Sequence, residues 1–288
     1  MLFRLLAVLV AVSCIPAGEA IPYRLLIGDF LNHAIVIRER DGTISWSQPT
    51  PGTVFDGEAL ANGNILYCEN GGGKGTIKEV TRDHQVVFSH DIPGECQSVQ
   101  RLADGKTLAS DPGSKRLIEI DAKGEIAKTV TLNSGGKGTH LITRIARKQS
   151  DGGYLVGQVA DQAIVGYKAD GTEERRIPMK SQAHIARRLA NGNLLIATGN
   201  GKSVVEIDPA GATVWTFATT DFPAGTNPEW TVDAQRLDNG NTLIINWLGH
   251  GKHGKGISLL EVTPDKQVVW TLGESRTVFF AQILAEKP

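Results

Sequence analysis

Short apolar runs separated by glycine-containing turns recur along the chain. The clearest copy spans residues 191–215, NGNLLIATGNGKSVVEIDPAGATVW. It holds a tight Asn-Gly-Asn turn, an apolar run, a polar glycine loop, a second apolar run, and a third run that ends at Trp215. Asparagine and glycine tolerate the positive φ of tight hairpin turns. One more apolar run precedes the turn at residues 185–189, so the pattern predicts a four-stranded antiparallel meander.

The same unit repeats along the rest of the chain. Its turn glycine recurs at intervals of about 40 to 48 residues, the length of a propeller blade, at Gly63, Gly105, Gly152, Gly192 and Gly240. The third and fourth strands of the unit recur six times, at residues 36–46, 77–88, 117–127, 164–177, 204–215 and 259–270. Six copies of the outer strands predict six blades.

The first copy lacks an inner strand of its own. Its second strand is at residues 23–28, and no apolar strand of the repeat precedes it. The C-terminal segment 278–284, VFFAQIL, matches the first strands VDAQRL and QSVQRL of other copies. Pairing these two ends closes the ring and removes two exposed edges. The sequence therefore predicts an all-β, six-bladed propeller of four-stranded blades, formed by residues 21–288 as one domain.

The repeats RLANGNLLIAT…VVEIDPAGATVW and RLDNGNTLIIN…LLEVTPDKQVVW resemble the PQQ-like and arylsulfotransferase-like propeller repeats of exported bacterial proteins. The likeness covers nearly the whole chain after residue 20. The group includes quinone-dependent dehydrogenases, sulfotransferases with a histidine nucleophile and arginine support, and non-catalytic assembly scaffolds. Because the shared motif specifies turns and blade packing, the resemblance implies the fold and not one activity.

Residues 1–20 have the pattern of a secretory signal. Arg4 precedes an apolar core at residues 5–12, and small residues provide a cleavage site before Ile21. The alternative interpretation is an imperfect lipobox that makes Cys14 a lipid-bearing N-terminus. Both interpretations predict an exported protein, periplasmic or extracellular. The apolar core is too short to span a bilayer, and we expect no transmembrane segment.

Charge and cysteine content narrow the function classes. With 30 basic and 31 acidic side chains, the net charge is -1. Such a chain has no field that attracts nucleic acid, and we expect no nucleic-acid partner and a monomer. Cys68 and Cys96 are compatible with a disulfide in an oxidising compartment or with two separate small buried residues. The sequence has no nucleotide-binding fingerprint.

Propellers usually bind ligands at one end of the central channel, where the innermost strands begin. Counting back along each first strand places these pairs at that end: Phe55 and Asp56, Cys96 and Gln97, Thr139 and His140, Ala183 and His184, Val232 and Asp233, and Val278 and Phe279. His140 and His184 are each five residues before an apolar strand position, and we take them as equivalent. Imidazole suits both metal binding and proton transfer near neutral pH. The alternative is that the two histidines only fill the channel entrance.

Asp56 and Asp233 follow one residue deeper in their strands. With His140 and His184 they would form a mixed acid–imidazole cluster, which could hold a divalent cation or perform acid/base catalysis. We take these four residues as the candidate catalytic set, with the cofactor left open. The alternative is that both aspartates accept hydrogen bonds in solvated turns.

Further side chains are candidates for ligand binding at the same end. Trp230 and Trp247 offer aromatic faces, which would suit a carbohydrate or another small polar molecule; the alternative is that they pack between blades. The remaining ligand-binding candidates are Gln97, Arg144, Asn246 and His250. Arg144, farther along its inner strand, would offer positive charge to an anionic group or hold backbone carbonyls in the channel.

Two functions from different classes remain. The first is an exported propeller that binds a small polar or carbohydrate-like ligand and acts on it as a lyase, hydrolase or lactonase. The second is a non-catalytic scaffold of the cell envelope that binds a protein partner. A scaffold would expose a broad apolar face and lack a deep polar pocket.

Overall fold

The protein forms six four-stranded antiparallel sheets, which confirms the predicted propeller. The computed structural model describes residues 20–249, 251–273 and 277–285. Most of the predicted signal peptide, including Cys14, lies outside the described residues, and so does His250. Exposed positions are most frequent in the outermost strand of each blade. The two middle strands are nearly continuous buried runs, because both of their faces pack against neighbouring blades. The innermost strands begin buried and end in polar, partly exposed residues.

We number the blades from the N-terminus and the strands in chain order. Blade 1 contains β1 (Arg24–Asp29), β2 (Ala34–Arg38), β3 (Ile44–Pro49) and the last strand, β24 (Val278–Leu284). Blade 2 contains β4 (Thr53–Ala59), β5 (Ile65–Gly71), β6 (Lys74–Val80) and β7 (Val86–Pro93). Blade 3 contains β8 (Val99–Arg101), β9 (Thr107–Asp111), β10 (Arg116–Ile120) and β11 (Ile126–Thr131).

Blade 4 contains β12 (Ala146–Lys148), β13 (Tyr154–Gln158), β14 (Ala163–Tyr167) and β15 (Glu173–Pro178). Blade 5 contains β16 (Ile185–Arg188), β17 (Leu194–Ala197), β18 (Val204–Ile207) and β19 (Thr213–Phe217). Blade 6 contains β20 (Thr231–Arg236), β21 (Thr242–Asn246), β22 (Leu259–Val262) and β23 (Val268–Leu272). Short 3-10 turns occur at Pro112–Ser114 and Thr219–Asp221. No described helix has the length and apolar character that crossing a membrane requires.

The C-terminal strand completes blade 1. β24 pairs antiparallel with β1 along its length, from Arg24 opposite Leu284 to Asp29 opposite Val278. The innermost strand of the first blade is therefore contributed by the end of the chain, as the sequence predicts. This pairing also places Phe279 and Phe280 at the centre of the ring, where both are almost fully buried.

Ion pairs join neighbouring blades at one recurring position. The third-strand glutamate of one blade binds a cation at the end of the next blade's first strand. The pairs are Glu79 with Arg101 (2.6 Å), Glu119 with Lys148 (2.5 Å) and Glu206 with Arg236 (2.7 Å). Each glutamate lies at a β-bulge that the six blades share.

The other three blades depart from this pattern. At the bulge, blade 1 has Ile37 and blade 4 has Gly166 in place of glutamate. Blade 6 keeps the glutamate, but Glu261 accepts hydrogen bonds from Asn239, Asn241 and Trp270 instead of pairing with a cation of the described residues. Ile37 packs in an apolar cluster with Ala59, the residue that replaces the cation in blade 2. Gly166 instead borders a cavity of about 220 Å³ that Arg188 of blade 5 also lines.

Cys68 and Cys96 are both fully buried and both are free thiols in this structure. The structure therefore agrees with the interpretation of two separate buried cysteines and not with a disulfide. Burial, together with a hydrogen bond to Cys96, raises the pKa of the Cys68 thiol well above its ordinary value. A protonated, buried thiol is a weak nucleophile, so Cys68 is not a candidate catalytic residue.

A candidate ligand site at the channel mouth

A cavity of about 310 Å³ lies at the end of the channel where the innermost strands begin. This is the end that the sequence predicts for the ligand. Its lining residues come from the starts of the inner strands and from loops between second and third strands. They are Phe30, Phe55, His140, Leu141, Arg144, His184, Trp230, Trp247 and Phe279.

The structure corrects the predicted equivalence of the two histidines. Ala146 pairs with Val156 in blade 4, and Ala186 pairs with Ile196 at the same place in blade 5. The residue two positions before each alanine is Arg144 in blade 4 and His184 in blade 5. Arg144 is therefore the equivalent of His184, and His140 lies four residues farther upstream. Residues 132–145 form no strand, so counting along the sequence misplaces His140.

Aromatic rings form most of the cavity wall. Phe279 is in edge contact with Phe55 at 4.8 Å and with Trp247 at 5.6 Å between ring centroids. Phe30 contacts the ring of Trp247 at 5.2 Å, and Trp230 lies beyond Trp247 at 6.3 Å. Such a wall binds apolar and aromatic groups by burying their surface. It is less polar than a carbohydrate site would be expected to be.

Three polar side chains form a hydrogen-bonded chain along one side of the cavity. Nδ1 of His140 is 2.9 Å from Oε2 of Glu95, and Nε2 of His140 is 2.9 Å from a terminal nitrogen of Arg144. A guanidinium only donates, so Nε2 of His140 is the acceptor and its proton is on Nδ1. His140 therefore donates to Glu95, which fixes one neutral tautomer of the imidazole.

Gln97 connects the two ends of this series of hydrogen bonds, Glu95 and Arg144. The hydrogen bond from His140 holds the pKa of the Glu95 carboxyl below its usual range, against the opposing effect of burial. Gln97 donates to Glu95 (2.7 Å) and accepts from Arg144 (2.9 Å). The predicted ligand residue Gln97 thus orients its neighbours, and its amide is fully buried.

His184 is buried at the floor of the cavity, with 1% of its surface exposed. No described residue gives either ring nitrogen a partner in hydrogen-bonding geometry, and both nitrogens are covered by neighbouring atoms. Burial, and to a lesser degree the charge of Arg144, lowers the pKa of His184 well below its ordinary value, against a weaker opposing effect of the Val232 carbonyl. His184 is therefore neutral at physiological pH. His140 is different, because half of its side chain is exposed.

Asp56 and Asp233 do not join the histidines. Both line a second cavity deeper in the channel, which shares no lining residue with the first. Each aspartate is bound by an arginine through two hydrogen bonds: Asp56 by Arg147 (2.7 and 2.8 Å) and Asp233 by Arg187 (2.9 and 2.6 Å). The mixed acid–imidazole cluster is therefore not formed, because paired arginines hold both carboxylates one layer below the imidazoles.

A metal-binding arrangement is likewise not assembled by these candidates. Within residues 20–249, 251–273 and 277–285, no group of three or more histidine, cysteine, aspartate or glutamate side chains is placed to share an ion. The predicted divalent cation therefore has no ligand set among the candidates that the structure describes.

Asn246 supports the cavity from outside. Its side-chain oxygen accepts from the backbone N–H groups of Glu229 (2.9 Å) and Trp230 (3.3 Å), and its amide donates to the Ile257 carbonyl (2.8 Å). Asn246 is fully buried and does not line the cavity. It holds the segment that presents Trp230, so it positions a wall residue and does not itself face the cavity.

Exposed large apolar side chains occur in two regions of the described residues. Val86, Val87, Ile126, Val214, Val268 and Val269 lie on the outermost strands of blades 2, 3, 5 and 6. Leu31 follows the cavity residue Phe30, and Leu141 itself lines the cavity. The scaffold hypothesis stays a prediction.

Glu95 is the functional candidate that sequence reasoning missed. It immediately precedes Cys96 and Gln97, which the sequence did place at the channel mouth. A search for carboxylates one residue outside each strand start would have found it. Its bond to His140 joins residues 45 apart, in blades 3 and 4, and no local pattern encodes that contact.

No protein-family model matches the chain, and no curated protein matches it in sequence. Solved structures do match. A protein of unknown function from Bacteroides caccae is 24% identical, with a TM-score of 0.79 over 91% of this chain and 98% of that one. A streptogramin B lyase is 15% identical, with a TM-score of 0.60 over 95% of this chain and 86% of that one.

A third match is virginiamycin B lyase from Staphylococcus aureus, a catalytically inactive histidine-to-alanine variant crystallised with quinupristin. It is 13% identical, with a TM-score of 0.62 over 92% of this chain and 87% of that one. At these identities the likeness establishes the fold alone. The resemblance to PQQ-like and arylsulfotransferase-like repeats stays a prediction. The chain is a six-bladed β-propeller with lyases among its structural neighbours.

Proposed function

We propose that the channel-mouth cavity binds a mainly apolar, ring-bearing molecule and that His140 acts on it as a general base in an elimination reaction. The observation that carries the proposal is the chain from Glu95 through His140 to Arg144 beside an aromatic wall. A carboxylate that holds an imidazole in one tautomer leaves the other nitrogen as a proton acceptor. The lyases among the structural neighbours support this reaction class.

The residues suggest how the step proceeds. A carbonyl or carboxyl oxygen of the ligand accepts from Arg144 and draws its N–H away from Nε2 of His140. The freed Nε2 then takes a proton from the carbon next to that group. The electron pair of the broken C–H bond forms a carbon–carbon double bond as a leaving group departs from the adjacent carbon. Arg144 stabilises the negative charge on oxygen, and Glu95 stabilises the imidazolium.

The other candidate residues have supporting roles in this proposal. His184 is neutral and its nitrogens are covered, so it forms part of the cavity floor. Asp56 and Asp233 hold the channel together beneath the site. The ligand is more apolar than the carbohydrate expected from Trp230 and Trp247, because phenylalanine rings complete the wall.

The test uses methyl 3-acetoxy-2-phenylpropanoate, which has a phenyl ring and an ester carbonyl beside an acidic C–H, and an acetate leaving group. Elimination gives methyl 2-phenylacrylate and acetate, and the new conjugated alkene is followed by ultraviolet absorbance. We expect turnover that falls at least ~100-fold in His140→Ala and at least ~10-fold in Glu95→Gln, the range of a positioned general base.

His84→Ala is the matched control. His84 is an exposed histidine that bonds Gln48 on the outer side of the ring, far from the cavity lining. Its replacement should leave turnover unchanged. Equal rates in the wild-type protein and His140→Ala would contradict the assignment of the base.

A further inference from the structure

Arg144 is a buried cation without a carboxylate in direct contact. Only 6% of its surface is exposed. Its two terminal nitrogens donate to neutral acceptors, the Gln97 amide and His140, and its Nε has no hydrogen-bond partner within the described part of the chain. Burial lowers the pKa of Arg144 to about 10, and the nearest acid, Glu95, opposes this shift from the far side of the imidazole.

The other two arginines of the channel are paired differently. Arg147 and Arg187 each bind an aspartate through two hydrogen bonds. Burial alone would lower the pKa of Arg147, but the charge of Asp56 raises it above its ordinary value. At the level of Arg144, the residues at the same register in the other blades are Phe55, Gln97, His184, Val232 and Phe279, and none of them is acidic.

A buried guanidinium is costly unless an anion is close to it. We infer that the missing anion is supplied by the ligand, and that this site selects molecules in which an aromatic or apolar ring carries a carboxylate. This inference rests on the proposed function and names its substrate class. Among the residues that the structure describes, Arg144 is the only lysine or arginine that lines the cavity. A single guanidinium matches the charge and the planar shape of a carboxylate, whereas a phosphate dianion would leave one charge uncompensated.

The geometry divides the recognition between two surfaces. The rings of Phe55, Phe279 and Trp247 bury the apolar body, and Arg144 binds the carboxylate at the side of the cavity. Binding of the carboxylate to Arg144 would also release Nε2 of His140. A ligand with a carboxylate would therefore bind most tightly and would also free Nε2 of His140 to act as the base.

The test compares indole-3-acetate with indole-3-acetamide, which has the same ring and shape without the charge. Affinities are measured by isothermal titration calorimetry at pH 7. We expect wild-type protein to bind the acetate at least ~10-fold more tightly than the amide, the range of one charge-assisted contact. The preference should disappear in Arg144→Gln. It should persist in Arg188→Gln, which removes an exposed arginine outside this cavity, and in His140→Ala.

The possible outcomes separate this inference from the proposed function. Equal affinity of the wild-type protein for the acetate and the amide would overturn the carboxylate preference, while elimination that depends on His140 would still support the proposed function. Binding of neither compound would overturn the inference outright. If Arg144→Gln does not fold, the two affinities of the wild-type protein still test the carboxylate preference. A preference that survives in folded Arg144→Gln would assign the recognition to another group.

Discussion

The cavity contains two histidines whose environments make them behave differently with pH. His140 is half exposed and bonded to a carboxylate, while His184 is buried without a hydrogen-bond partner for its ring. In His184 the charged form is disfavoured in the folded state, first by burial and then by Arg144. A group that is neutral when folded but protonated when unfolded makes stability depend on pH.

We predict that the free energy of unfolding falls on acidification from pH 6.5 to pH 5 because of His184. The unfolded chain takes up a proton below its ordinary pKa of about 6.5, whereas the folded protein does not until a much lower pH. The loss approaches about 1.4 kcal/mol per pH unit for one such group. Urea denaturation at several pH values should show a flatter profile for His184→Leu. His84→Leu, at an exposed site, should retain the wild-type slope.

At the scale of single residues, the sequence predicted part of the site. It placed His140, His184, Trp230 and Trp247 at the mouth, because each precedes or follows a recognisable strand, whereas it put Arg144 farther along an inner strand. It could not predict which of them touch, since these contacts cross blades. The irregular segment before β12 also has no register of its own, which is why the equivalence with His184 was assigned to the wrong residue.

Between elements, the repeated glutamate–cation pair is the clearest link from one blade to the next. It is missing between blades 4 and 5, where Gly166 replaces the glutamate and Arg188 remains. A Cβ built on Gly166 has its nearest neighbour at 3.7 Å, the Arg175 carbonyl oxygen, so a side chain fits there.

We predict that Gly166→Glu stabilises the protein by about 1 kcal/mol. About half of this would come from an ion pair with Arg188, and the remainder from removing a glycine from the interior of a strand. Urea denaturation measures the change. In an Arg188→Gln background the gain should shrink to the glycine contribution. Destabilisation by Gly166→Glu would show that the cavity does not admit the glutamate side chain.

The strands themselves were predictable, because Asn-Gly and Asp-Gly turns mark each hairpin with little ambiguity. Gly63 and Gly192 have φ of +88° and +85°, the values that such turns require. The position of Gly166 can be read from the sequence, because it lies five residues before Gly171 as Glu206 lies five before Gly211. That Arg188 has no ion-pair partner among the described residues could not be predicted, because that contact would cross from one blade to the next.

For the molecule as a whole, ring closure depends on β24. Its removal would leave blade 1 without its inner strand and would expose Leu26, Ile27 and the edge of β4 to solvent. We predict that a chain truncated after residue 273 is largely insoluble or unfolds at a temperature lower by many degrees, because an open ring has two unpaired edges. Circular dichroism melting of the truncated and full chains measures the difference.

Blade 1 contains strands from both ends of the described chain, and this determines the order in which the blades can form during synthesis. Residues 24–49 emerge before residues 278–284 during synthesis, so their sheet has no inner strand until residues 278–284 have been made. Blades 2 to 6 can form sheets as they appear, whereas blade 1 must wait for β24. If the protein is exported, as its sequence predicts, this delay would keep residues 24–49 available for transport until β24 has been made.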